Sequence, residues 1–156
     1  MPKSSNDLYK FILKKFNQLT VNELYNLLRL RNEVFIVEQK CPYQDLDNKD
    51  YKAHHLLIYK EEKLVAYSRI FPEKVSFNEA SIGRIIVCKE LRSTGLGKIL
   101  MKKSIESLFA IHGEQPIRIG AQFYAVPFYK KFGFETDGDI YLEDHIEHIE
   151  MIRKIY

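Results

Sequence analysis

At 156 residues, 46% of them hydrophobic and 29% charged, the chain has the make-up of one globular domain, 1–156, and not that of a disordered or fibrous protein. The net charge of +3 comes from scattered lysines without the basic stripe and interleaved aromatics of a nucleic-acid binder, so no nucleic-acid partner is expected. No apolar run approaches the ~20 residues that cross a bilayer, and MPKSSNDLYK lacks the apolar centre of a secretion signal, so the expected address is the cytoplasm, with no membrane partner.

Residues 8–16 (LYKFILKKF) alternate loosely enough for a first strand. Thr20 and Glu23 then have the spacing of a capping box, in which each side chain satisfies the other's backbone N–H. The helix they open places Leu24, Leu27, Leu28 and Val34 at helical spacing and ends near Cys41-Pro42, because proline disfavours a helical predecessor. An acidic loop, 43–50, follows. Its carboxylates either draw a cationic amine or solvate a turn; Lys49 at the fifth ligand position and the missing glycine at the sixth exclude a calcium loop.

Runs 54–59 and 64–71 flank a polar tetrapeptide and read as a hairpin, and 80–88 reads as the next strand. Ser93 is expected to cap a helix from about Thr94 to His112, with Gly113 as its stop. Residues 116–121 form a short strand, 125–132 a helix with Pro127 in its first turn, and 148–155 a closing strand. Hairpins feeding strand–helix units predict an α/β (mixed α+β) fold, a mixed central sheet with helices on both faces.

The chemistry concentrates where the third of these strands runs into Arg92-Ser93-Thr94-Gly95-Leu96-Gly97-Lys98. A helix's first turn has N–H groups without internal partners, and its dipole adds positive potential. An anion such as pyrophosphate answers both, and Gly95 and Gly97 lack the side chains that would hold it off. The same glycines also suit close helix packing. The loop is neither a Walker loop nor a dinucleotide fingerprint. Cys41 and Cys88 have no zinc-ligand spacing and no motif supporting a nucleophile, so no metal is expected.

The strand–R-x-x-G-x-G–helix unit resembles the acetyl-CoA-binding motif of the GNAT superfamily of N-acetyltransferases. A second segment, AQFYAVPFYKKFGF from Ala121, is similar to that family's N-x-x-A-x-x-F-Y-x-x-x-G-F, and LRLRNEVFIVEQKCPYQDLD, GRIIV, GAQ and EDHIEHIEM resemble its ElaA-type branch. His145 and Glu147 depart from it, standing where the branch more often has glycine and proline, and Gln122 replaces the superfamily's usual asparagine.

The resemblance implies a GNAT fold and transfer of an acetyl group from acetyl-CoA to a primary amine, by direct transfer without a metal. It implies that the strand before the loop bears a bulge, and that backbone amides of Ile85, Ile86 and Val87 there hold the thioester carbonyl and pantetheine arm. Main-chain amides of Arg92, Ser93, Thr94, Gly95, Leu96, Gly97 and Lys98 hold the pyrophosphate, and Gln122 belongs to the same coenzyme site. Tyr129 matches the position that protonates the departing thiolate. For the base, His55 and His148 match recurring positions and rank ahead of Glu38 and Glu147, although His54 and His55 point to opposite faces of one strand and each also reads as a satisfied structural histidine. A non-catalytic acyl-CoA sensor of the same fold is the rival reading. Edge strands of this fold often pair, which makes a homodimer one arrangement to test.

Overall fold

The period-two runs assemble into one eight-stranded sheet in the computed structural model, which describes residues 8–155. Most of the N-terminal segment read for a secretion signal lies outside those residues. Strands β1 (Lys10–Lys15), β2 (His54–Lys60), β3 (Lys63–Phe71) and β4 (Ala80–Val87) form an antiparallel meander. Strand β5 (Ile117–Gln122) joins β4 in parallel, and the last strand, β8 (Ile146–Arg153), lies antiparallel to β5. Two three-residue strands, β6 (Phe134–Thr136) and β7 (Tyr141–Glu143), also pair with β8.

Helix α1 (Val21–Arg31) starts at the expected capping box: Thr20 Oγ1 accepts the Glu23 N–H at 3.1 Å, and the Glu23 carboxylate accepts the Thr20 N–H at 2.8 Å. Lys14 of β1 donates to the same carboxylate, which ties the helix start to the sheet edge. After Arg31 the helix widens into a π-type segment, Asn32–Glu38, instead of continuing regularly to residue 41. That stretch holds Val34, Phe35, Ile36 and Val37, whose β-branched and aromatic side chains lose freedom in a regular α-helix.

Helix α2 (Leu96–His112) covers the opposite face of the sheet. Neighbouring residues of β3 show this: Tyr67 has the Arg31 guanidinium 6.0 Å from its ring, while Ser68 shares a 2.7 Å hydrogen bond with Ser104 of α2. Leu27, Leu30 and Val34 fill the core on one side; Leu96, Leu100, Met101 and Leu108 fill it on the other.

Three more details differ from the sequence reading. Ser93 does not cap α2: it sits at φ +64°, and the helix begins at Leu96 behind Gly95, whose φ of +90° makes the turn. Helix α3 is shorter than expected, Val126–Lys130, with Pro127 in its first turn. Strands β6 and β7 were not anticipated. The β7–β8 hairpin turns on Asp144 (φ +50°) and His145 (φ +66°), a two-residue turn with both centres left-handed.

Candidate active site

Strands β4 and β5 pair only at Ala80/Ile117 and Ser81/Arg118, then part. The cause lies on the other edge of β4. Across from β3, Tyr67 faces Ile86 while Arg69 faces Gly83, so one β3 residue opposes both Arg84 and Ile85. Arg84 absorbs the extra residue at φ +48°. Such a bulge bends its strand and raises its twist, and among the described residues the edge of β4 beyond Ser81 is left without a partner strand. Backbone N–H and C=O groups along such an edge can bind an extended ligand as a further strand would. A cleft of ≈ 1140 Å³ opens there, walled by β4, β5, the α1 extension, α3 and the β7–β8 hairpin.

One end of the cleft meets the start of α2. Its first main-chain ladder bond is Ile99 N–H to Gly95 C=O, so the amides of residues 96–98 precede the ladder. Among the described residues no side chain caps this end, and no acid stands in its first turn, which leaves the dipole's positive end uncompensated. Packing does not demand the glycines. A Cβ on Gly95 would meet nothing within 4 Å, and one on Gly97 would touch Phe128 and Val87 only at 3.6–3.8 Å. Gly95 is required by its backbone angle, and Gly97 lines the cleft where a methyl would sit in ordinary contact with Phe128 and Val87. These features fit a pyrophosphate held by main-chain amides.

Ile85, Ile86, Val87, Arg92, Gly97 and Gln122 line the cleft. Ser93, Thr94, Gly95, Leu96 and Lys98 form the turn and first helical turn beside it; Leu96 is fully buried, so only its backbone is available there. Arg92 donates to Val87 C=O at 3.1 Å and pairs with Glu38 at 2.8 Å, bracing the loop against β4 and the α1 extension. Gln122 and Gln39 exchange side-chain amide bonds at 3.3 Å across the cleft. Cys41 Sγ–H donates to Asp144 C=O, a second tie from the α1 side, this one to the hairpin.

Tyr129 lies in the cleft wall among aromatic rings, edge-on to Phe128 at 5.3 Å and to Phe134 at 6.2 Å. Burial, with a smaller contribution from Tyr124, pushes its phenol well above the ordinary value, so it carries its proton at neutral pH. His148 also lines the cleft, stacked on Tyr141. Its Nδ1 is 2.8 Å from the Ile146 carbonyl, which only accepts, so Nδ1 bears the proton. Nε2 is then the basic nitrogen, with Glu143 3.6 Å away.

The structure does not bring His55 to this place. It is wholly buried under the α1 face, with Nδ1 2.6 Å from Tyr67 Oη and Nε2 2.9 Å from the Asp50 carbonyl. Burial, reinforced by Arg31 and Arg69, lowers its pKa. Glu38 lines the cleft but is engaged by Arg92. Glu147, next to His148 on β8, is exposed on the other face of the strand.

The acidic loop proves to be one half of a charge network that sequence reasoning missed. Arg31 bonds Asp45 at 2.8 Å and Asp50 at 2.7 Å; Arg69 grips Asp47 with both terminal nitrogens and reaches Asp50; Arg84 bonds Asp45 at 2.7 Å. Burial raises the Asp47 and Asp50 carboxyl pKa values, but the arginine bonds outweigh it and hold both below the ordinary range. The signal was present: Arg69 and Arg84 each interrupt an apolar strand, and a charge there needs a partner.

A sheet split by a bulge beside an uncapped helix start, with an extended cleft between, is the frame of an acyl-transfer enzyme of the coenzyme-A-using class implied above. The family described as the acetyltransferase (GNAT) domain matches residues 14–155. Protein ElaA of Escherichia coli is 41% identical over 141 residues, 89% of this chain and 92% of that protein. A UPF0039 protein of Schizosaccharomyces pombe is 41% identical over 144 residues, 91% of this chain and 95% of its own. Among solved structures, an acyl-CoA N-acyltransferase from Pseudomonas aeruginosa superposes with a TM-score of 0.88 at 37% identity, covering 93% of this chain and 99% of that one. Crystalline E. coli ElaA gives 0.88 at 38%, covering 94% and 99%. The chain belongs to the GNAT acetyltransferase family, in the company of the ElaA proteins.

Proposed function

We propose that the protein transfers the acetyl group of acetyl-CoA directly to a primary amine. The observation that carries this reading is the unpartnered β4 edge running from the bulge to the uncapped start of α2. In it, the two amides of the pantetheine arm bond that edge as an added strand would, and the pyrophosphate meets the amides of residues 96–98. Amides freed at the Arg84–Ile85 bulge polarise the thioester carbonyl. His148 Nε2 takes a proton from the attacking amine, directly or through water, the C–N bond forms and the C–S bond breaks. Tyr129, kept protonated by burial, gives its proton to the leaving thiolate. Holding both reactants in one cleft supplies much of the acceleration.

Thermal denaturation with acetyl-CoA, CoA and dephospho-CoA tests the coenzyme half. Ligand at 100 times its dissociation constant stabilises the native state by ~2.7 kcal/mol, a rise of about 5–10 °C for a chain of this size. Thiol release on adding amines tests transfer. No shift at millimolar coenzyme would overturn the reading, and a shift without thiol release from any amine would leave a binding module.

A further inference from the structure

Two acids that line the cleft, Asp47 and Glu38, are held by Arg69 and Arg92. Glu143 also lines it and is held by neither an arginine nor a lysine among the described residues; its ionic contact is with His148.

The sheet sets Glu143 beside the base. Gln122, His148 and Tyr141 stand directly opposed across β5, β8 and β7, and Glu143 follows Tyr141 by two residues on the same face. His148 Nε2 and Glu143 Oε2 are 3.6 Å apart, too far for a direct hydrogen bond. The imidazole is 12% exposed and the carboxylate 60%, so a ligand coming from solvent can reach the acid on its way to the base. With Nδ1–H committed to the Ile146 carbonyl, Nε2 presents a lone pair. Two acceptors therefore face each other with no hydrogen to share. A primary ammonium has three N–H donors and a positive charge, and at ~2.7–2.9 Å from each acceptor its nitrogen spans the pair. A water supplies the hydrogens but not the charge.

Resting on the transfer reading above, we infer that Glu143 docks the acceptor: the amine enters as an ammonium, donates to Glu143 and to His148 Nε2, and belongs to the strongly basic aliphatic amines. One of its protons passes to His148 Nε2, and the imidazolium so formed faces the same carboxylate. The freed lone pair attacks the thioester carbon, the C–S bond breaks, and Tyr129 protonates the thiolate. The second proton that the nitrogen sheds on becoming an amide restores the Tyr129 hydroxyl. The His148 proton leaves to water, so each turnover releases one proton. An amine that is neutral in solution gains no ion pair from the carboxylate. Asp45, Asp47 and Asp50 of the acidic loop, bonded to Arg31, Arg69 and Arg84, are not free to draw a cation, and that task falls to the hairpin.

The test uses benzylamine, a cation at neutral pH, and aniline, which is neutral there, on wild type, Glu143→Gln and Glu143→Asp. Glu143 is exposed, so both variants are expected to fold and to keep the acetyl-CoA thermal shift. Glu143→Gln is expected to raise KM for benzylamine about tenfold, the loss of one charge-assisted hydrogen bond, while aniline, followed as substrate or as competing ligand, is unmoved. Glu143→Asp keeps the charge and is expected to recover most of that loss. Spermidine and a lysine-containing peptide, run in the same series, distinguish a free amine from a protein side chain as the source of the ammonium. Equal KM for benzylamine in wild type and Glu143→Gln, or equal rises for both amines, overturns the inference and leaves transfer standing. Calorimetric binding of benzylamine in the presence of CoA separates the two readings. If no amine releases thiol, yet wild type binds benzylamine and Glu143→Gln does not, the ammonium site stands and the transferase reading falls. Absence of that binding as well overturns both.

Discussion

Tyr129 and His148 reach the cleft from different elements and bring opposite proton habits. Tyr129 sits against Phe128 and Phe134, and its low-dielectric surroundings disfavour the phenolate, so it is set to donate. Tyr129→Phe removes only the hydroxyl and keeps the ring contacts. We expect turnover to fall by about 10²-fold or more, with the acetyl-CoA thermal shift unchanged; full turnover in thiol-release assays would eliminate the role. His148 is oriented by a bond to a main-chain carbonyl, an arrangement that fixes the tautomer. His148→Asn is expected to lower kcat while the acetyl-CoA thermal shift is unchanged, and full turnover in thiol-release assays would remove His148 as base. Of the two histidines that the family resemblance ranked first, only this one stands in the cleft. Both are polar residues of period-two strands, and alternation alone does not say which face of a sheet will be covered by a helix or left open.

At the scale of elements, the loop before α2 and the β7–β8 hairpin each spend left-handed residues to set an angle. Gly95 does so cheaply; Asp144 and His145 do not, since a non-glycine residue in that region costs on the order of 1 kcal/mol. His145→Gly is therefore expected to raise the melting temperature by about 2–4 °C, and no rise would refute the strain. Gly97→Ala probes the other helix-start glycine. Its Cβ meets only ordinary contacts, and alanine is the better helix former by about 1 kcal/mol. Stability is thus expected to hold or rise, while acetyl-CoA affinity falls because Gly97 lines the cleft. Affinity that survives Gly97→Ala would mean the glycine does not serve the coenzyme.

On the scale of the whole molecule, the arginine–aspartate network joins α1, the acidic loop, β3 and β4 beneath the cleft. Asp47 and Asp50 have folded-state pKa values below their unfolded ones, so their stabilisation is complete above about pH 4 and is lost as pH falls toward the depressed values. His55 acts in a higher window. Its folded pKa is lowered by burial, so the stability it contributes while neutral is full above about pH 6.5 and drains away below it, as the unfolded chain takes up the proton first. Melting curves from pH 4 to 8 should show a decline starting near pH 6.5 that is shallower in His55→Gln. His54 and His112, also lowered by burial, account for the part that remains. A slope identical in both proteins would contradict the burial argument.

Much of this was legible in the chain because it is encoded locally. The capping box at Thr20, the hairpin of β2 and β3, the glycines around Leu96 and the Ala121–Phe134 segment act over a few residues, where spacing determines geometry. Tertiary structure decided the rest. Strands of three residues, such as β6 and β7, exist only because β8 offers them an edge. The family resemblance implied a bulge in this strand, but its position at Arg84 is a mismatch between two strands and cannot be written in either alone. Whether Asp47 faces a substrate or an arginine depends on side chains brought together from positions 22 residues apart on the chain. Electrostatic pairing and burial act through space, and chain order carries no record of which distant charges will meet.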